Sequence, residues 1–419
     1  MKMIDKKKIS IFSQKKNFFF FILLCLYPWF LISGPFLADG IAVLISLYYV
    51  LTCITKKNYE DFKKLPFVIF IIFFVYIFFN SIFIGNNIVS IKSSIFFFRF
   101  GFFALAISFL LSENKNYLNY FFLSFLISLS LLFFDSIFQK IYGFNIIGIN
   151  MYHSIRVSSF FGEELILGSF VVKIIPIILV YLYVFYKDIS KIYSLIIILI
   201  SLIIILLSAE KTSLILMIIF SLLFFAVIDF SNKLKILIVL GFISIILSIV
   251  SLNEPIKKRI YHQLISNSGS GKYIYTKMHD SHFRTAYKMF IDKPIFGHGP
   301  KMFRFKCSDE KYNVDKFSCS THPHNFILQI LSETGLVGLC FLIIFYISII
   351  KIFLRNLFLS FLKKDFSYPE YILSTSLLVI FFPLATSGNI FNNWISCTHF
   401  LTIGILLFFL NSKNDKKLI

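Results

Sequence analysis

Arginine is scarce in this chain: it occurs only at positions 99, 156, 259, 284, 304 and 355, although Lys and Arg together number 41. Lysine carries the remaining positive charge, and Ile, Phe and Asn are abundant, the composition of an A+T-rich genome. In such a chain a retained Arg is more informative than a Lys, because its planar fork grips phosphate or carboxylate bidentately and an ammonium does not. Acidic residues are also few, 21 in all, which leaves a net charge of +20. Much of that excess is loop lysine beside apolar segments, so it does not argue for nucleic acid as a partner. No CxxC or HExxH occurs, and His322-x-His324 alone is weak evidence for a metal site, so neither metal nor other cofactor is expected. Gly297-His-Gly299 is too short for a nucleotide-binding loop, and no strand precedes it. The apolar run from Phe18 follows a Lys cluster but lacks a small-x-small cleavage site, which marks it as a retained first helix.

What is abundant is apolar surface. With 58% hydrophobic and 19% aromatic residues in repeated runs of about 20 residues, the chain is expected to be an all-α, polytopic membrane protein. Hydropathy predicts about twelve spans, near 17–33, 36–55, 65–83, 90–111, 117–137, 164–186, 190–208, 212–229, 234–252, 334–354, 370–386 and 391–410. This divides the chain into residues 1–252 with nine helices, an outward loop over 253–333, and residues 334–419 with the last three helices and the tail. Lysines concentrate in alternate connections and at both termini. By the positive-inside rule those segments are cytoplasmic, and the long polar loop from 253 faces outward.

Six of the eight histidines (262, 279, 282, 298, 322, 324) fall in or at the end of that loop, a gathering of titratable groups that suits an anionic substrate. Cys307 and Cys319 share it, twelve positions apart, and in an oxidising space a disulfide is expected. Cys25, Cys53, Cys340 and Cys397 lie in or beside apolar spans and read as packing residues. Residues 281–292 have helical spacing, with Phe283, Ala286, Tyr287 and Phe290 predicted on one side of an amphipathic surface helix. Asn325 fits as an N-cap. The helix it opens, to Leu354, would run about 44 Å, longer than a bilayer core of about 30 Å, and Gly335 and Gly338 suggest a break. His324 would then sit at the positive end of a short outer half-helix. Two more outward segments carry charge, Arg156 to Gly168 and Ser208 to Ser213. Lys173, about 14 Å into its span, is an intramembrane charge that should face a cavity or a partner, and Arg99 invites the same reading.

Phe296-Gly-x-Gly299, followed by His322-Pro-His324-Asn325-x-x-Leu328-Gln and Glu333-x-Gly335-x-x-Gly338, resembles the signature of the bacterial O-antigen ligase and O-antigen polymerase superfamily. Arg156 to Gly168 and Ser208 to Ser213 are similar to its two shorter outer loops, except that Lys211 stands where the family usually carries Arg. The resemblance implies a C-type glycosyltransferase architecture in the bacterial inner membrane. It also implies metal-independent transfer of a glycan from an undecaprenyl diphosphate carrier, on the periplasmic face, to lipid A core or to a second lipid-linked glycan. A diphosphate leaving group needs fixed cations, for which Arg156, Lys211 and Arg284 are candidates. The acceptor hydroxyl needs a neutral base, for which His324 is the candidate. Glu164 and Glu210 would orient the cations, Lys173 and Asn325 would complete the substrate site, and His322 has either a structural or a functional role. Ligase and polymerase are both compatible with the residues, glycan transfer to protein is a weaker option, and a polysaccharide flippase is the alternative outside the enzymes.

Overall fold

The structure, a computed structural model, describes residues 15–152, 155–252, 275–362, 364 and 366–412. Arg259, His262 and the lysine-rich chain ends lie outside these residues. Everything described is helix and loop. The helices are α1 (Lys15–Cys25), α2 (Tyr27–Ser33), α3 (Pro35–Lys56), α4 (Glu60–Lys63), α5 (Leu65–Asn80), α6 (Ile88–Ile95), α7 (Phe98–Glu113), α8 (Leu118–Tyr142), α9 (Leu167–Phe185) and α10 (Ser190–Ser208). They continue with α11 (Lys211–Val227), α12 (Asn232–Leu252), α13 (Lys277–Asp292), α14 (Phe303–Lys306), α15 (Phe326–Phe361), α16 (Tyr368–Ile380) and α17 (Asn393–Ser412).

Among the described residues eight helices are long and apolar enough to cross a bilayer, or nine if α1 and α2, bent by 45°, form one span. The expected stretches beyond these are helical too, but α11 has 17 residues and α16 only 13, short of the roughly 20 a crossing requires. The missing length is irregular backbone at 209–210 and 381–392. Such backbone is tolerated at depth only where protein or a wet cavity covers it, and here both stretches line the polar site described below.

Burial follows the pattern of apolar residues. Helix α9 is apolar on all sides, and residues Phe170 through Tyr183 are all buried, the mark of a helix enclosed by others. Helix α3 buries Ala38, Ala42, Ile45 and Tyr49 along one stripe while Leu44, Leu47 and Leu51 on the other side stay exposed, as a lipid-facing surface would. Glu210, before α11, is hydrogen-bonded to the start of α9, and Thr212 of α11 and Gln329 of α15 both reach the 381–392 stretch that precedes α17.

Candidate active site

The glycine motifs form a backbone lock. Helix α15 bends at Gly335, where φ is +65°, and the Gly297 turn packs into the bend. Gly299 N–H donates to the Glu333 carbonyl (2.7 Å), His298 N–H to the Ser332 carbonyl (3.0 Å) and Leu336 N–H to the Pro294 carbonyl (2.8 Å). A Cβ at Gly297 would lie 2.5 Å from the Glu333 carbonyl carbon, closer than any real contact, so only glycine fits. The buried Glu333 carboxylate accepts from Phe303 N–H (3.1 Å) and Gln329 Nε2 (3.0 Å). In this way Glu333 fixes the start of α14, the short helix that carries Arg304. Lys301, just before it, has left-handed backbone with φ +59°. Cys307 and Cys319 close the next loop as a disulfide pair with Cα atoms 5.1 Å apart.

Four imidazoles meet beside this lock. The His324 ring centre lies 4.0 Å from that of His322 and 5.3 Å from those of His279 and His282. Two of these residues come from the buried side of α13 and two from the approach to α15. His322 is fixed at both nitrogens: Nε2 donates to the Ser387 carbonyl (3.1 Å), so Nδ1 accepts from Thr321 Oγ1 (2.9 Å), a tautomer that follows from the carbonyl partner. His324 has only Ser320 Oγ at its Nε2 (3.1 Å). Its backbone is left-handed, φ +59°, a conformation a non-glycine residue holds only when its surroundings impose it. They do: the His324 carbonyl accepts from Ser387 N–H (2.9 Å), and Asn325 caps α15 through Leu328 N–H while its Nδ2 donates to the Pro383 carbonyl (2.7 Å). Burial, then the three neighbouring imidazoles, push His324 down to about 3. Burial chiefly, with the Arg304 charge adding to it, pushes His322 down to about 4. The cluster is therefore neutral throughout the physiological range. Both ring nitrogens of His282 are buried without a hydrogen bond of good geometry, although the Cys319 backbone lies close enough to favour its charged form. No group of three or more His, Cys, Asp or Glu among the described residues has metal-binding geometry.

A second cluster of polar residues surrounds Glu210. Its carboxylate accepts from Gly168 N–H (2.8 Å), Ser169 N–H (2.9 Å) and Ser213 Oγ (2.9 Å), capping α9 from outside its own chain segment. Arg156 donates to the Ser208 carbonyl through Nε (3.1 Å) and to the Leu165 carbonyl through Nη2 (2.9 Å), with Nη2 3.9 Å from Glu210. Burial raises the Glu210 carboxyl, and the Gly168 N–H is the largest influence opposing it. Lys211 begins α11, partly exposed. Thr212 hydrogen-bonds Thr386. The 383–389 loop thus joins the two clusters, since its next residue, Ser387, holds His322 and His324.

The remaining candidates are more dispersed. Arg284 is 61% exposed on the outer side of α13, 3.9 Å from Asp280, and borders an open groove of about 430 Å³ lined by Phe283, Arg284, Tyr287, Lys288 and Leu328. The expected helix face is corrected here. Helix α13 buries His282, Thr285, Ala286 and Met289, whereas Tyr287 is exposed, because the inward face carries a histidine of the cluster and the aromatics line the groove. Glu164 is exposed on its turn, and Glu210 makes the contacts to the Arg156 segment. Lys173 is buried in α9 with Nζ 4.7 Å from the centre of the Trp394 ring. Arg99 forms a bidentate pair with Asp39 (2.8 and 3.0 Å). Sequence reasoning missed Lys301, Arg304, Gln329 and the 383–389 loop; only the proximity of Gln329 to the signature hinted at any of them.

Fold and site define a polytopic helical membrane protein with a cluster of polar and titratable residues at one end of its helices. A family model described as O-Antigen ligase matches residues 195–343, which supports the resemblance to the O-antigen ligase superfamily. The match covers Glu210, Lys211, Arg284, the histidine cluster and the glycine lock; Arg156, Glu164 and Lys173 precede it. It supports glycosyl transfer of ligase or polymerase type in O-antigen assembly, with lipid-linked glycans as substrates in general. No curated protein matches the chain.

Proposed function

We propose that this protein transfers a glycan from undecaprenyl diphosphate to an acceptor hydroxyl at the periplasmic face of the bacterial inner membrane, as an O-antigen ligase with lipid A core as acceptor. The observation that carries this reading is His324: a neutral imidazole with one nitrogen uncommitted among the described residues, held before the start of α15 by the 383–389 loop. As the acceptor oxygen bonds to the anomeric carbon, its proton passes to His324, the bond to the diphosphate oxygen breaks, and the carrier diphosphate leaves with the electron pair. The low basicity of the cluster suits this order of events, because an arriving diphosphate raises the affinity of the nearby imidazole for a proton. The positive start of α15 favours the charge that develops on the leaving group. Arg284 meets the carrier at the groove rim, with Lys288 beside it and an apolar floor below. Arg156, Glu210 and Lys211 shape the opposite wall, with Lys173 beneath them and Glu164 outside, and His322 and Asn325 keep His324 in register.

The reading also includes the twelve-span topology, with both termini cytoplasmic, 253–333 as the outer segment and the Cys307–Cys319 bond formed in an oxidising space. Impermeant thiol labelling of Ser268→Cys in cells with permeabilised outer membranes should succeed, and protection would reverse the orientation. Purified protein in nanodiscs, supplied with glycan-linked undecaprenyl diphosphate, should glycosylate lipid A core. Chain extension of the lipid-linked glycan instead would make it a polymerase, and transfer to neither acceptor would remove the ligase reading.

A further inference from the structure

Every described arginine but one has a partner. Arg99 pairs with Asp39, Arg156 with two carbonyls and Glu210, Arg284 with Asp280, and Arg355 with Glu370. Arg304 has none: among the described residues its guanidinium makes neither hydrogen bond nor ion pair, and its Nε is buried. Lys301, three residues earlier, is partly buried and its ammonium likewise has no ion-pair partner among them. Two neighbouring cations in a half-desolvated position repel each other and are costly without a counter-charge. The single carboxylate in reach is that of Glu333, which is already committed to Phe303 N–H and Gln329. The charge of Arg304 also acts on His322, so the guanidinium lies on the histidine side of α14. The lock holds this arrangement in place, since the turn carrying Lys301 is bound to the bend of α15 by backbone hydrogen bonds on both sides of Gly297.

From this juxtaposition we infer that Arg304 and Lys301 form the inner subsite for the carrier diphosphate, next to the histidine cluster, while Arg284 contacts the same carrier only at the rim. The inference rests on the glycosyl-transfer reading above and names cations which that reading did not include. A diphosphate, with two linked phosphoryl groups, can meet two adjacent cations at once where a single phosphate cannot span them as well, and the Arg fork can take two oxygens.

The test is binding of undecaprenyl diphosphate and undecaprenyl monophosphate, without glycan, to the full chain in nanodiscs. Wild type should prefer the diphosphate. Arg304→Gln should weaken it about 10-fold or more, the loss expected for a charge-assisted hydrogen bond, and Arg304→Lys should fall between. Lys306→Gln, an exposed cation on the same turn that pairs with Asp309 at 3.5 Å, should change it less than about 2-fold. Lys301→Gln should weaken binding independently and serves if Arg304→Gln does not fold. Wild-type affinity in folded Arg304→Gln or Lys301→Gln would overturn the subsite and leave the proposed function standing. Failure of wild type itself to bind either lipid would overturn both.

Discussion

The site has two halves that use the same residue types differently. Around Glu210, nearly every polar atom is committed: the carboxylate takes three donors and Arg156 spans two carbonyls. Around His324, polar atoms are held in place but left open: among the described residues Arg304 is unpaired, His282 unsatisfied and one nitrogen of His324 uncommitted. A polar group with a full set of partners holds a fold together, whereas one kept buried or strained without a partner is positioned for something that arrives later. The contrast separates scaffold from chemistry more sharply than residue identity does, since both halves contain an arginine and a buried acid.

His324→Ala should expose the contrast most strongly. The variant should fold and insert normally yet transfer glycan about 10²- to 10⁴-fold more slowly, the range for a lost general base, in an assay with lipid-linked donor and purified acceptor. Near wild-type turnover in a well-folded preparation would remove His324 as the base. Glu210→Ala should do the opposite, lowering thermal stability by about 2 kcal/mol or more through three orphaned donors, with activity following the folded fraction. A folded, stable but inactive Glu210→Ala would move that half into the chemistry. Arg284→Lys keeps the charge and loses the fork, so turnover should fall about 10-fold, and unchanged turnover and donor affinity would take Arg284 out of the site. The smallest effect is on pH dependence. An unfolded imidazole takes up its proton near 6.5, while His322 in the fold holds out to about 4. Below about 6.5 the unfolded chain therefore binds more protons, so the stability is full above that value and falls as pH drops toward 4. Melting curves at pH 7 and pH 5 should differ by less in His322→Asn than in wild type.

Much of this was readable in advance, and the rest was not for definite reasons. The Thr321-His322-Pro323-His324-Asn325 run, the glycines and the break in α15 are local signals, and each keeps its meaning in three dimensions. The 383–389 loop gives no such signal. It lies between two apolar spans, and its role depends on contacts with residues about sixty positions away, such as Gln329 with Asn389 at 2.8 Å. Arg304 was visible as a rare arginine, but lacking a partner is a property of surroundings and not of a residue. The helical spacing of α13 puts Phe283 and Tyr287 together along the groove, but it does not show that Ala286 turns inward with His282, Thr285 and Met289, because which face is buried depends on what packs against it.

The bend at Gly335 also bears on how the enzyme meets bilayers of different thickness. The outer part of α15 is pinned by the caps of Asn325, the Gln329–Asn389 bond and the Glu333 contacts. The inner part, from 336 to 361, is about 39 Å long and exceeds a hydrocarbon core of about 30 Å, so hydrophobic mismatch is relieved by tilt. The bend is itself held by Leu336 N–H to the Pro294 carbonyl (2.8 Å) and Val337 N–H to the Ile295 carbonyl (3.2 Å), so the inner part tilts as one body with the 294–299 turn and the pinned outer part. Transfer rates in nanodiscs of increasing acyl length should therefore depend on the lipid, and rates that stay level would show that the lock gives way.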